Sequence, residues 1–151
     1  MEGTRHGLET CEALRRMYEL TVADPVWNRA AMEAGGPEAR EGDLALAALL
    51  SIHSLATNGG LLHSVESHDS RAIERGTEGF RYFGLLDAAE AVGWVVNRVA
   101  ATDLDADTDA AEQLESEADL RYGQAVPTDS TLVTRFEEIF AERSEAFAPL
   151  G

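Results

Sequence analysis

The chain has 151 residues, 44% of them apolar, which suffices for one domain with a real core and argues against global disorder. Its charge is lopsided: 28 acidic residues face 12 arginines and no lysine, for a net charge of −16. That balance excludes a phosphate-loop lysine and a Schiff-base amine, and it argues against nucleic acid or an anionic membrane as direct partners.

The predicted elements are helical throughout. Leu8, Cys11, Leu14, Tyr18 and Val22 recur at three and four, marking a first amphipathic helix. Asp24-Pro25 reads as an N-cap with proline at the first helical position, and Gly35-Gly36 closes that short helix. Asp43 is placed to cap the next helix, whose Leu44–Thr57 stretch is apolar nearly all round and belongs at the centre of a bundle. Asn58 and Gly59 tolerate left-handed dihedrals at its C-terminus. A new helix starts from Gly60 with Leu61, Leu62 and Val65 inward. Asp69 or Ser70 opens another, carrying Ile73, Phe80 and Phe83 as far as Gly84. Asp87 to Ala101 follows with a Val92, Val96, Val99 stripe. Ala110 to Tyr122 is helical, Pro127 interrupts, and Asp129 or Ser130 caps a last helix with Leu132, Phe136, Ile139, Phe140 and Phe147 inward. No segment alternates as a strand does. The expected fold is all-α, a single multi-helix domain over residues 1–151 with about seven or eight helices.

An ordered set of short elements runs along this pattern: a helix ending in Asn58-Gly59-Gly60, then Ala91-Val92-Gly93, then Asp119-Leu120-Arg121-Tyr122, and a final helix closing on Phe147. Over roughly Leu44 to Leu150 this set resembles the DNA-mimic protein 19-like family, an all-helical group. In that family an aromatic, any residue and Gln follow Asn-Gly-Gly; here Leu61 and His63 stand in the aromatic and Gln places, and Ala118 replaces a later Leu. The resemblance implies a helical fold. It also implies a partner, because a characterised member is an acidic protein that mimics DNA and occupies a DNA-binding transcription factor.

Few residue sets could carry chemistry. Gly79-x-x-x-x-Gly84 has phosphate-loop spacing but continues Leu85-Leu86. Asp103-x-Asp105-x-Asp107-x-Asp109 lacks the Gly at position six and the Glu at twelve that a calcium loop needs, in either register. His63 and His68 lie five apart, off the spacing of a helical metal pair, and no placed carboxylate completes a site for His53 and His63. Cys11 is the only cysteine, so no internal disulfide and no thiolate cluster can form, and it reads as a small core residue. Trp27, Trp94 and Tyr82 read as core. Asn58, Gly59, Gly60 and His63 could form an anion nest, but glycine and asparagine have a sufficient backbone reason to be there, so they read as a structural turn.

The acidic run remains: Asp103, Asp105, Asp107, Asp109, Glu112, Glu115, Glu117 and Asp119, with no arginine among them. If Asp103–Asp109 is extended, alternate carboxylates stand roughly 6–7 Å apart. On a helix, residues four apart rise about 6 Å. Phosphates along one DNA strand advance about 3.4 Å of axis each and lie farther apart through space, so the scale is comparable. Composition alone would make such a run a solvated face. The expectation is a non-enzymatic protein that binds a basic partner through these eight residues, either a DNA-binding protein occupied by mimicry or a toxin neutralised by an immunity protein. A metal-dependent enzyme using His53 and His63 ranks third. No cofactor, metal, direct nucleic-acid contact or membrane contact is expected, and a homodimer stays open. Four glutamates among the first 20 residues argue against a signal peptide, and Ser51, His53, Ser54, Thr57 and Asn58 against a transmembrane helix, so the cytoplasm is the expected location.

Overall fold

The computed structural model describes residues 23–150. The predicted first helix, from Leu8 to Val22, lies outside the described residues, as do His6 and Cys11. Helix α1 is helical over residues 23–33. It is followed by α2 (Glu41–Gly59), α3 (Leu61–Ser67), α4 (Ser70–Tyr82), α5 (Leu86–Ala101), α6 (Thr108–Ala125), α7 (Asp129–Glu142) and a 3₁₀ turn at Ser144–Ala146. Seven α-helices and no strand among the described residues make the fold all-α.

Packing follows the apolar faces. Helix α2 lies against α3 and α4, and α5 packs on α3, α4 and α6. Close approach of α4 to α2 depends on Gly76 and Gly79: a Cβ at Gly76 would collide with the Ile52 side chain, and one at Gly79 with the Ala45 carbonyl. Leu46, Leu49 and Ile52 of α2 are buried in this contact. A second layer is aromatic. Phe83, Phe136 and Phe147 are all buried, and the Phe136 ring lies 5.5 Å from Phe147 and 6.2 Å from Phe83. Trp27 of α1 packs on the same Phe136 at 5.5 Å. Edge-on and tilted pairs of this kind add to the plain burial term.

A buried carboxylate ties α1 and the C-terminal segment to this core. Asp43 is fully buried. Its Oδ1 accepts from Arg29 Nη2 at 2.9 Å, and its Oδ2 accepts from the Arg40 backbone N–H at 3.0 Å and the Ala148 N–H at 2.7 Å. Arg29 Nη2 also donates to the Ala148 carbonyl at 2.8 Å. One acid therefore fastens α1, the start of α2 and the C-terminal segment together.

Several predicted caps move. Asp43 caps α2 from inside rather than as its N-cap: the helix begins at Glu41 after Arg40, and Asp43, two positions further in, reaches back to the Arg40 N–H as the acid of a capping box. Asp24 is already helical, so Asp24-Pro25 does not open α1. Proline is tolerated through a first turn, whose N–H groups lack partners anyway, so an Asp-Pro pair does not fix a helix start. The left-handed glycine at the α2–α3 turn is Gly60, with φ of 91°, whereas Gly59 is the last residue of α2. Helix α7 begins at Asp129 after Thr128, and the Asp129 carboxylate bonds His53 instead of capping the helix. On α5 the fully buried valines are Val92 and Val95, with Val96 and Val99 half-buried, since three neighbouring helices widen and turn the core face. Asp69 caps α4 as expected, accepting from the Ala72 N–H at 2.7 Å.

Candidate functional site

The acidic run does not form an extended ribbon. Residues 104–106 form a turn, closed by the Asp107 N–H donating to the Asp103 carbonyl at 3.3 Å. Short carboxylate side chains bend the backbone here. Asp103 accepts from the Ala106 N–H at 3.2 Å, and Asp107 caps α6 by accepting from the Ala110 N–H at 3.1 Å. Aspartate competes for backbone donors in this way and so favours turns and caps over extension. The strand-like spacing of Asp103 to Asp109 is thereby corrected.

On α6 the acids divide again. At 3.6 residues per turn, Glu112, Glu115 and Asp119 fall within roughly 60° of one another, with Asp109 roughly a further 60° round from Glu112 on the side of Glu117; Asp109, Glu112 and Glu117 line the groove toward α5. Glu117 pairs with Arg121, its Oε1 accepting from Nε at 3.1 Å. Asp119 belongs to the turn at Gly60: its Oδ1 accepts from the Leu61 N–H at 3.1 Å and so serves the first turn of α3. Two features that look separate in the sequence, the Asn58-Gly59-Gly60 turn and the acidic run, are joined by this bond. Four of the eight acids thus have a structural task. Asp105, Asp109, Glu112 and Glu115 are exposed and enter no hydrogen bond or ion pair among the described residues.

His63 stays at the surface of the turn, its ring lying where a Gly59 Cβ would stand, with Nδ1 3.5 Å from the Ser67 hydroxyl. His68 donates from Nδ1 to the Ser64 carbonyl at 2.6 Å, which leaves Nε2 to accept from the Ser51 hydroxyl at 2.9 Å. His53 points away from both, into the core. Its Nε2–H donates to Asp129 Oδ1 at 2.8 Å, since an ionised carboxylate can only accept, and its Nδ1 accepts from the Tyr122 hydroxyl at 2.7 Å.

A Tyr–His–Asp chain invites a catalytic reading, but its chemistry points to structure. Tyr122 is buried, and its pKa is pushed up by burial first and by the Asp129 charge second, so the phenol keeps its proton and acts as a donor rather than a nucleophile. The network fastens α2 to α6 and α7. Sequence reasoning missed it because its members lie 69 and 76 residues apart. Among the described residues no three His, Cys, Asp or Glu side chains stand together as a metal set, and no helix is long and apolar enough to cross a membrane.

Beside the acidic edge runs a groove of about 870 Å³ between α5 and α6. Trp94 forms part of its wall, with the Arg121 guanidinium 4.2 Å and that of Arg98 5.2 Å from the ring centre. Leu120 lines it too and is 55% exposed. No protein-family model matches the chain, and no curated protein or solved structure does either.

Proposed function

We propose that this chain is a non-enzymatic binding protein whose acidic edge, from Asp103 to Glu115, covers the cationic surface of a basic protein. One observation carries the reading: Asp105, Asp109, Glu112 and Glu115 stand exposed without a structural task, next to acids that do have one. Carboxylates that cap and staple are explained by the fold. The four that hold nothing are free to meet a partner's cations, and a stretch of like charge costs stability until a cation neutralises it, which supports the reading. The caps at Asp103 and Asp107 also fix the backbone that presents this charge, which lowers the ordering cost of binding. The finer form of the proposal, in which the partner is a DNA-binding protein and the edge replaces phosphates, draws on the resemblance to the DNA-mimic protein 19-like family.

The test compares the wild type with D103N/D105N/D107N/D109N in capture experiments from host lysate at low and high salt. Asparagine keeps the side-chain oxygen that the two caps need, so folding survives while four charges vanish. The wild type should retain a basic protein that the variant loses and that elutes with salt. Competition with DNA then separates the forms: a partner that binds DNA and this protein in turn supports mimicry, and one that binds both together rejects it. A captured toxin domain supports the immunity reading. A partner held equally by wild type and variant would sink the acidic edge.

A further inference from the structure

We propose that the α5–α6 groove is the anchoring site for a basic amphipathic segment of the partner, in which an apolar side chain enters against Leu120 and Trp94 while flanking lysines or arginines meet Asp109 and Glu112. This deepens the reading above and rests on it. The groove is large enough for side chains of a docked helix or turn, and its exposed apolar residue sits at the lip rather than on an isolated patch of surface. Its charges are not equivalent. Arg98 and Arg121 are both engaged with the Trp94 ring, and Arg121 is also held by Glu117, whereas Asp109 and Glu112 line the same groove and enter no ion pair among the described residues, so the lining's three acids outnumber its two arginines. The charge left to complement is therefore negative, and the segment that satisfies it is basic.

The lining also has the composition that concentrates binding energy. Tryptophan and arginine dominate the energetic centres of interfaces, and an amphipathic helix laid in a groove is a common recognition mode. Trp94 already packs against the core and lies under two guanidiniums, which lowers the cost of ordering it on binding. Covering the exposed half of Leu120 should be worth roughly tenfold in affinity. Recognition would then differ from plain charge neutralisation: a partner lacking the apolar anchor would bind weakly whatever its charge.

The experiment uses two synthetic peptides of equal charge, one with leucines at helical spacing flanked by lysines and one with each leucine replaced by serine. Trp27→Phe leaves Trp94 as the only tryptophan, so its fluorescence reports on the groove. The leucine peptide should bind about tenfold more tightly, shift Trp94 emission, and lose that advantage in Leu120→Ser, an exposed position where folding is indifferent. The amide shifts of Gln113 and Leu120 in the unsubstituted protein report the same contact should Trp27→Phe disturb the core. If both peptides bind equally, or if Leu120→Ser keeps the leucine advantage, the groove proposal is overturned while acidic recognition stands. If neither peptide binds, the acidic reading falls and takes the groove with it.

Discussion

Replacing Asp43 with alanine should be among the most damaging single changes to this fold. The side chain is fully buried, and its partner Arg29 is 16% exposed, so the pair is largely removed from water. Removing one member of a buried ion pair typically costs about 3–5 kcal/mol, because the other charge stays buried. Two backbone donors, the N–H groups of Arg40 and Ala148, lose their acceptor at the same time. These losses overlap, so a total of about 4 kcal/mol is expected, a large share of the ~5–15 kcal/mol that holds a typical domain. For a chain of this length each kcal/mol lowers the melting temperature by about 2–4 °C, which gives a drop of about 8–16 °C. Urea and thermal melts followed by circular dichroism measure it. Hydrogen exchange should also speed up at Phe147 and Ala148, because the C-terminal segment loses its tether. Adding Arg29→Ala to Asp43→Ala should cost much less than a second full loss. If Asp43→Ala melts within about 1 kcal/mol of the wild type, the buried acid is not the fastening that its contacts describe.

Three further outcomes follow from single sites. Gly60→Val should cost about 2–3 kcal/mol, since Gly60 has a positive φ and a new Cβ would stand 2.9 Å from Asp119 Oδ1. Gly59→Val should cost under about 1 kcal/mol, because the Gly59 backbone is helical and the His63 ring it would meet is exposed and can turn aside; chemical melts that rank the two the other way would contradict the turn geometry. Tyr122→Phe should destabilise by about 1–2 kcal/mol at neutral pH by leaving His53 Nδ1 without its donor. The phenol's pKa is raised in the folded state, so its contribution is complete below about pH 10 and fades as pH rises beyond it; the variant should therefore lose less stability than the wild type between neutral and strongly alkaline pH.

Much of the fold was legible because helix signals are local. Asp69 before Ser70, the three-and-four spacing of Leu61, Leu62 and Val65, and the interruption at Pro127 all act within a few residues, and each marks an element that forms. Asp43 shows where local reading fails. An acid before an apolar run looks like a cap, but nothing nearby reveals that Arg29 and Ala148 will close on it from 14 residues before and 105 residues after. Gly59 and Gly60 look interchangeable in sequence, and only the approach of Asp119 and the entry of α3 decide which one turns. The candidate surface was half legible. Its acids were all in view, but the side chains that cap, staple or pair could not be told from those that do not without the turn at 104–106 and the position of α6. The groove was hidden altogether, since Trp94 carries core-like spacing and Leu120 sits in an acidic segment.

The most direct test of the acidic edge is an amide chemical-shift titration of the isotope-labelled protein with a nine-residue arginine peptide at moderate salt. Acids are spread over much of this surface, so a polycation has several places to settle. Preferential recognition predicts that the earliest and largest shifts fall on Asp105, Asp109, Glu112 and Glu115, and that in D103N/D105N/D107N/D109N they are lost at positions 105 and 109 and weakened at Glu112 and Glu115. Shifts that instead fall first on Glu74 and Glu78 of α4 or on Glu137 and Glu138 of α7, or that rise evenly over every acid, would mean that residues 103–115 are an ordinary solvated face.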